Sequence, residues 1–109
     1  MTNQSLNFMT ISELSNNIRT KKVSPTELIK HFLQTINRLN ESNKSFLYIA
    51  ENESLKEAAI IEKEIFSGNY KGPLHGIPIG LKDLYATNNM PTTSGSIIFK
   101  DHQPNENAT

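Results

Sequence analysis

Lys82 ends a run in which Ile77, Ile79 and Leu81 fall on one side and Pro78, Gly80 and Lys82 on the other. That alternation predicts a strand over 77–82 with one bulky face and one nearly bare face, the lysine projecting at the end of the bare one. Pro78 and Gly80 leave room for another backbone to approach. A lysine enclosed there loses solvation, its charged form is disfavoured, and the neutral amine can take a proton from a serine hydroxyl, directly or through a second serine. The ordinary alternative is a strand-end lysine that reaches water or pairs with Asp83, and the run alone leaves both readings open. Beyond Pro91 comes a turn of small hydroxyl residues, Thr92, Thr93, Ser94, Gly95 and Ser96.

Other chemistries fit the chain poorly. From Gly76 to Lys82 the spacing is glycine, three residues, glycine, one residue, lysine, whereas a phosphate-binding loop needs four residues between its glycines and the lysine directly after. Gly72, Gly76 and Gly80 recur every fourth residue, but Pro73 and Pro78 exclude a small-residue helix face there. His31, His75 and His102 stand apart from one another and from carboxylate clusters, so no metal site is expected. The chain has no cysteine, which excludes disulfide scaffolds, thiolate zinc sites and cysteine nucleophiles. Eleven basic and eleven acidic side chains cancel, against the excess of positive charge that a general nucleic-acid binder needs. No apolar run approaches the ~20 residues of a membrane span. The residues after Met1 lack the basic and apolar regions of a secretory signal, so a soluble cytoplasmic protein is expected. Asn-x-Ser/Thr triplets at Asn3, Asn40, Asn43, Asn52 and Asn107 are chance matches in a chain with thirteen asparagines.

The elements that must position Lys82 divide into a helical front, 10–68, and an irregular back. Thr10 with Glu13 forms a capping-box pattern, followed by Ile11, Leu14 and Ile18 on one stripe. Ser24, Pro25 and Glu27 mark a second helix start, with Leu28, Ile29, Phe32, Leu33, Ile36 and Leu39 as its apolar face. Phe46–Ile49 is a short β-type run. A third helix is expected after Asn52, carrying Leu55, Ala58, Ala59, Ile61 and Ile65 and stopping at the left-handed Gly68. These stripes read as core packing. The lysine-bearing strand and loop occupy 72–99, and residues 100–109 show no periodicity and are expected to be unstructured.

The stretch Gly72 to Asp83, followed by Met90 to Ser96, resembles the N-terminal hallmark of the amidase signature family. Its pattern, Gly-Pro-Leu-x-Gly-(Ile/Val)-Pro-x-x-x-Lys-Asp and then Thr-Thr-x-Gly-Ser, is matched at nearly every position. The helical front is also similar, so the resemblance covers residues 9–107, with its specificity concentrated in 72–96. It implies an α/β fold in which 1–109 is the N-terminal part of one amidase domain. Its helices and the first strand or strands of a large mixed sheet would be present, truncated before the remainder. Ile77, Ile79 and Leu81 would then form an unpaired edge liable to aggregate, as in an incomplete gene product, a split gene or an assembly-edge fragment.

The resemblance implies that Lys82 is the lysine of a Ser–cis-Ser–Lys triad hydrolysing carboxamide C–N bonds. Both serines belong to a glycine–serine-rich loop further downstream than this sequence extends, so the 109-residue chain is expected to be inactive alone. Ser94 and Ser96 match the Thr-Thr-x-Gly-Ser turn, which is structural in the family. No cofactor or metal is implied, the partner is a small-molecule amide, and a homodimer stays open. Two alternatives remain. One is the glutamine-hydrolysing subunit of a tRNA-dependent amidotransferase, which tends to place Asn after Lys-Asp, where Leu84 and Tyr85 here resemble general amidases. The other is a helical interaction module without chemistry.

Overall fold

The computed structural model describes residues 6–109, which fall into two compact units: one up to Lys44 together with Glu51–Pro78, the other Ser45–Ala50 with Ile79–Thr109.

Among the described residues the first unit holds the helices α1 (Ile11–Arg19), α2 (Pro25–Asn43) and α3 (Glu51–Phe66). Two begin where their sequences carry reciprocal caps. The Glu13 N–H donates to the Thr10 hydroxyl at 3.1 Å while the Thr10 N–H donates to the Glu13 carboxylate at 2.7 Å. Ser24 and Glu27 make the same exchange, both bonds at 3.1 Å, with Pro25 at the first helical position, where no N–H is needed. α3 starts earlier than Asn52 would direct, because Glu51 and Glu53 both suit the positive end of the helix. It ends as a Schellman motif: the Asn69 N–H reaches the Glu64 carbonyl at 2.9 Å and the Gly68 N–H the Ile65 carbonyl at 3.0 Å, with Gly68 at φ +94°.

Part of each apolar stripe enters one core of Leu6, Leu14, Ile18, Val23, Leu28 and Ile65, against which Met9, Phe32, Ile61, Tyr70 and Ile77 pack, whereas Ile11 and Leu39, expected on the same stripes, are 50% and 38% exposed. α2 lies against α3, and the Thr26 hydroxyl donates to the Glu62 carboxylate at 2.7 Å between them. Gly76 sits at φ +91° on this core, and a Cβ there would meet Pro25 Cγ at 3.1 Å. Handedness and space both demand glycine at that point.

The expected strands are absent. Among the described residues no strand forms at 77–82 or at Phe46–Ile49, and no sheet exists. The described part of this chain is helical with irregular segments, which corrects the α/β expectation of a first strand or strands. A strand needs a neighbour to complete its ladder, and Pro78 has no N–H to offer one. The alternation is realised at one position only: Ile77 packs on the core, whereas Ile79 and Leu81 are 73% and 53% exposed.

Candidate active site

Lys82 lies in the second unit, two residues after Gly80. The bare strand face expected at Gly80 is partly occupied, since a Cβ there would stand 3.5 Å from the Phe46 ring. The Lys82 side chain is exposed, so the desolvation invoked for a neutral amine is not supplied by the described residues. Its carbonyl accepts from the Tyr85 N–H at 3.2 Å, closing a turn directly after the lysine.

Asp83 points its chemistry elsewhere. One carboxylate oxygen accepts from the Thr93 N–H at 2.8 Å, and the other accepts from the Thr93 hydroxyl and from the Gly95 N–H at 3.3 Å. Its backbone carbonyl also accepts from the Ser94 N–H at 2.7 Å. The Thr93 hydroxyl first, then the Thr93 and Gly95 amides, hold this carboxyl below its ordinary range. With both oxygens used in this way, Asp83 is a clasp on residues 93–95. Among the described residues Lys82 has no ion-pair partner, so the pairing of Lys82 with Asp83 is not formed.

The clasp explains the hydroxyl-rich turn. Ser94 and Gly95 both have positive φ, +51° and +69°, which directs successive N–H groups toward the Asp83 carboxylate and carbonyl. Ser94 is exposed and contributes its N–H, and the Ser96 hydroxyl accepts from the Ile98 N–H at 3.2 Å. Among the described residues neither serine side chain is bonded to a basic side chain. Thr92 is buried; its hydroxyl donates to the Tyr85 carbonyl at 3.3 Å, and its N–H donates to the His102 carbonyl at 2.9 Å. Residues 100–109 form no helix or strand, yet the Ala108 N–H reaches the Ala86 carbonyl at 2.7 Å and the Asn107 side chain accepts from the Asn88 N–H at 2.9 Å.

The histidines separate in role. His31 is buried on α2, bonded to Asn7 Oδ1 at 2.6 Å and edge-on to Phe32, a core contact. His75 meets a single carboxylate, Glu64 of α3: Nε2 lies 2.9 Å from Oε2, while the Lys71 ammonium is 3.3 Å from Oε1. His75, then Lys71, draw the Glu64 carboxyl below its ordinary range. Sequence reading missed this pair and the Asp83 clasp. A Glu eleven residues before a His carries no local pattern, and an Asp ten residues before a Thr becomes visible as its partner only once the turn is formed. Among the described residues no group of three or more His, Cys, Asp or Glu side chains could hold a metal ion, and no helix is long and apolar enough to cross a membrane.

Comparison with known proteins gives this arrangement a context. The family model described as Amidase matches residues 27–109. An acylamidase of Rhodococcus erythropolis is 29% identical over 108 residues, covering 99% of this chain and 23% of that protein. A glutamyl-tRNA(Gln) amidotransferase subunit of Bdellovibrio bacteriovorus is 32% identical over 104 residues, covering 95% of this chain and 21% of its own length. Among solved structures, the crystal structure of PAM12A superposes with a TM-score of 0.78 at 28% identity over 91% of this chain and 21% of that one. The chain therefore spans about a fifth of the length of the relatives it matches.

Proposed function

Because this chain belongs to the amidase family, we propose that it supplies the N-terminal part of an amidase domain, 1–109, in which Lys82 is the base that hydrolyses a carboxamide C–N bond. The helical part is 10–68, the lysine-bearing segment and its loop are 72–99, and 100–109 closes the piece. The observation that carries the reading is the separation of roles between neighbours: Asp83 is committed to the 93–95 turn, which leaves the Lys82 amine open to a partner.

In the proposed reaction the neutral Lys82 amine takes a proton from a cis-serine, which takes one from the nucleophilic serine. That serine oxygen adds to the amide carbonyl, and backbone N–H groups of the serine loop hold the oxyanion. Collapse breaks the C–N bond, the amine leaves with the relayed proton, and water hydrolyses the acyl-enzyme. Both serines and the walls that would desolvate Lys82 belong to the remaining four fifths of the domain. The exposed Ile79 and Leu81 give that remainder an apolar surface to cover. A small-molecule amide as substrate, a cytoplasmic location and a homodimer belong to the same reading.

A second reading is favoured by one observation, the likeness to an amidotransferase subunit. There the same triad would release ammonia from glutamine. Leu84 and Tyr85 after Lys82 and Asp83 favour the general amidase. The test joins this chain to the remaining segment of the Rhodococcus acylamidase and assays simple amides and glutamine. Hydrolysis of amides supports the first reading, glutamine hydrolysis alone the second. A folded chimera that hydrolyses neither contradicts both.

A further inference from the structure

The loop that leads to Lys82 is held by a device outside the proposed triad. His75 is nearly enclosed, its side chain 8% exposed, between its own turn and α3. On one side the Lys71 backbone N–H points at Nδ1 at 3.1 Å; on the other, Nε2 stands 2.9 Å from Glu64 Oε2. A backbone N–H can only donate, so Nδ1 must present a lone pair, and the ring proton must sit on Nε2. Among the described residues the acceptor bonded to that proton is the Glu64 carboxylate. The Glu64–His75 contact is therefore a hydrogen bond from a neutral imidazole to an anion, and the charge on Glu64 is balanced by Lys71 at 3.3 Å.

We propose that His75, held as the neutral Nε2–H tautomer between the Lys71 N–H and Glu64, locks the Gly72–Ile77 turn onto α3. The turn is otherwise poorly anchored at its outer edge. Leu74 is 65% exposed, and the His75 N–H bonds only within the turn, to the Gly72 carbonyl at 3.0 Å. At its inner edge Gly76 abuts Pro25 and Ile18, and Ile77 enters the core. The remaining groups around the ring agree with the assignment. The Tyr70 ring is tilted beside it with centroids 6.2 Å apart, and the Tyr70 hydroxyl is engaged by Ser15. The lock stands on the geometry of the helical unit and does not depend on the amidase reading.

The test therefore reads the imidazole and not an activity. In the full 109-residue chain at neutral pH, nitrogen-15 spectra of His75 should show a protonated Nε2 and an unprotonated Nδ1, coupled to the ring protons accordingly. Two variants separate the bonds. His75→Asn keeps an oxygen near the Nδ1 position and should keep the Lys71 amide protected from exchange. His75→Gln keeps only the reach toward Glu64 and should speed that exchange roughly three- to tenfold, the fold-change of one lost hydrogen bond. Glu64→Gln retains an acceptor and should leave the tautomer unchanged. A proton on Nδ1, a doubly protonated ring, averaged signals from both nitrogens, or equal Lys71 exchange in the Asn and Gln variants would overturn the lock. Such a result would leave the amidase reading standing, since the chimera assay decides that separately.

Discussion

The two units of this chain hold the same kind of aliphatic side chain in opposite conditions. In the first, Ile18 and Leu28 are fully enclosed by residues from all three helices. In the second, Ile79, Ile97 and Ile98 are 73%, 85% and 87% exposed. Burying one such side chain is worth about 1.5–3 kcal/mol, so the first unit is consolidated by apolar contact and the second is not. What orders the second is polar: the Asp83 clasp, the buried Thr92 hydroxyl and the ties from Ala108 and Asn107. A segment can thus have a defined path and still lack the cover that a functional site needs. Such cover is what the rest of an amidase domain would bring.

The largest effect should come from opening the first core. Leu28→Ala should lower stability by about 2–5 kcal/mol, read as a shift of the urea midpoint of helical circular dichroism. Ile98→Ala in the second unit should stay within about 0.5 kcal/mol. Comparable shifts for the two would break the contrast. Next is Gly76→Ala, which places a Cβ against Pro25 at φ +91° and should cost about 1–2 kcal/mol in the same assay. A neutral result would mean that the turn moves freely on the core.

How much of the molecule is legible in its sequence follows the same division. The caps at Thr10 and Ser24 close within one turn of helix, and Leu14 with Ile18 on α1 and Leu28 with Phe32 on α2 recur at helical spacing, so local pattern reveals them. The alternation at Ile77, Ile79 and Leu81 is equally clear, but a strand requires a partner that no local pattern can supply. Lys82 is marked by its neighbours and by a family likeness; that its amine is exposed and Asp83 turned away cannot be read from two adjacent residues. His75 and Glu64 meet only because the Schellman end of α3 folds the chain back.

A smaller change is expected at the first cap of α2: Ser24→Ala should cost about 1 kcal/mol and fray the start of that helix, seen as faster exchange at Glu27 and Leu28. The smallest lies in the clasp and depends on pH. Because the folded Asp83 carboxyl is held below its ordinary value, the clasp is at full strength above about pH 3.9 and is lost as pH falls through the lower folded value. Amide shifts of Thr93 and Gly95 followed on acidification should therefore move with a midpoint below about 3.9. A midpoint at or above that value would mean that the carboxylate does not hold the turn.

The central claim, that this chain brings the base of an amidase, rests on one amine. In the acylamidase chimera, amide hydrolysis should be compared between Lys82 and Lys82→Arg, with circular dichroism to confirm equal folding. Arginine keeps the charge and cannot lose its proton near neutral pH. Lys82→Arg should lower kcat about 10²–10⁴-fold; a chimera that folds equally and keeps most of its rate with arginine would rule out Lys82 as the base.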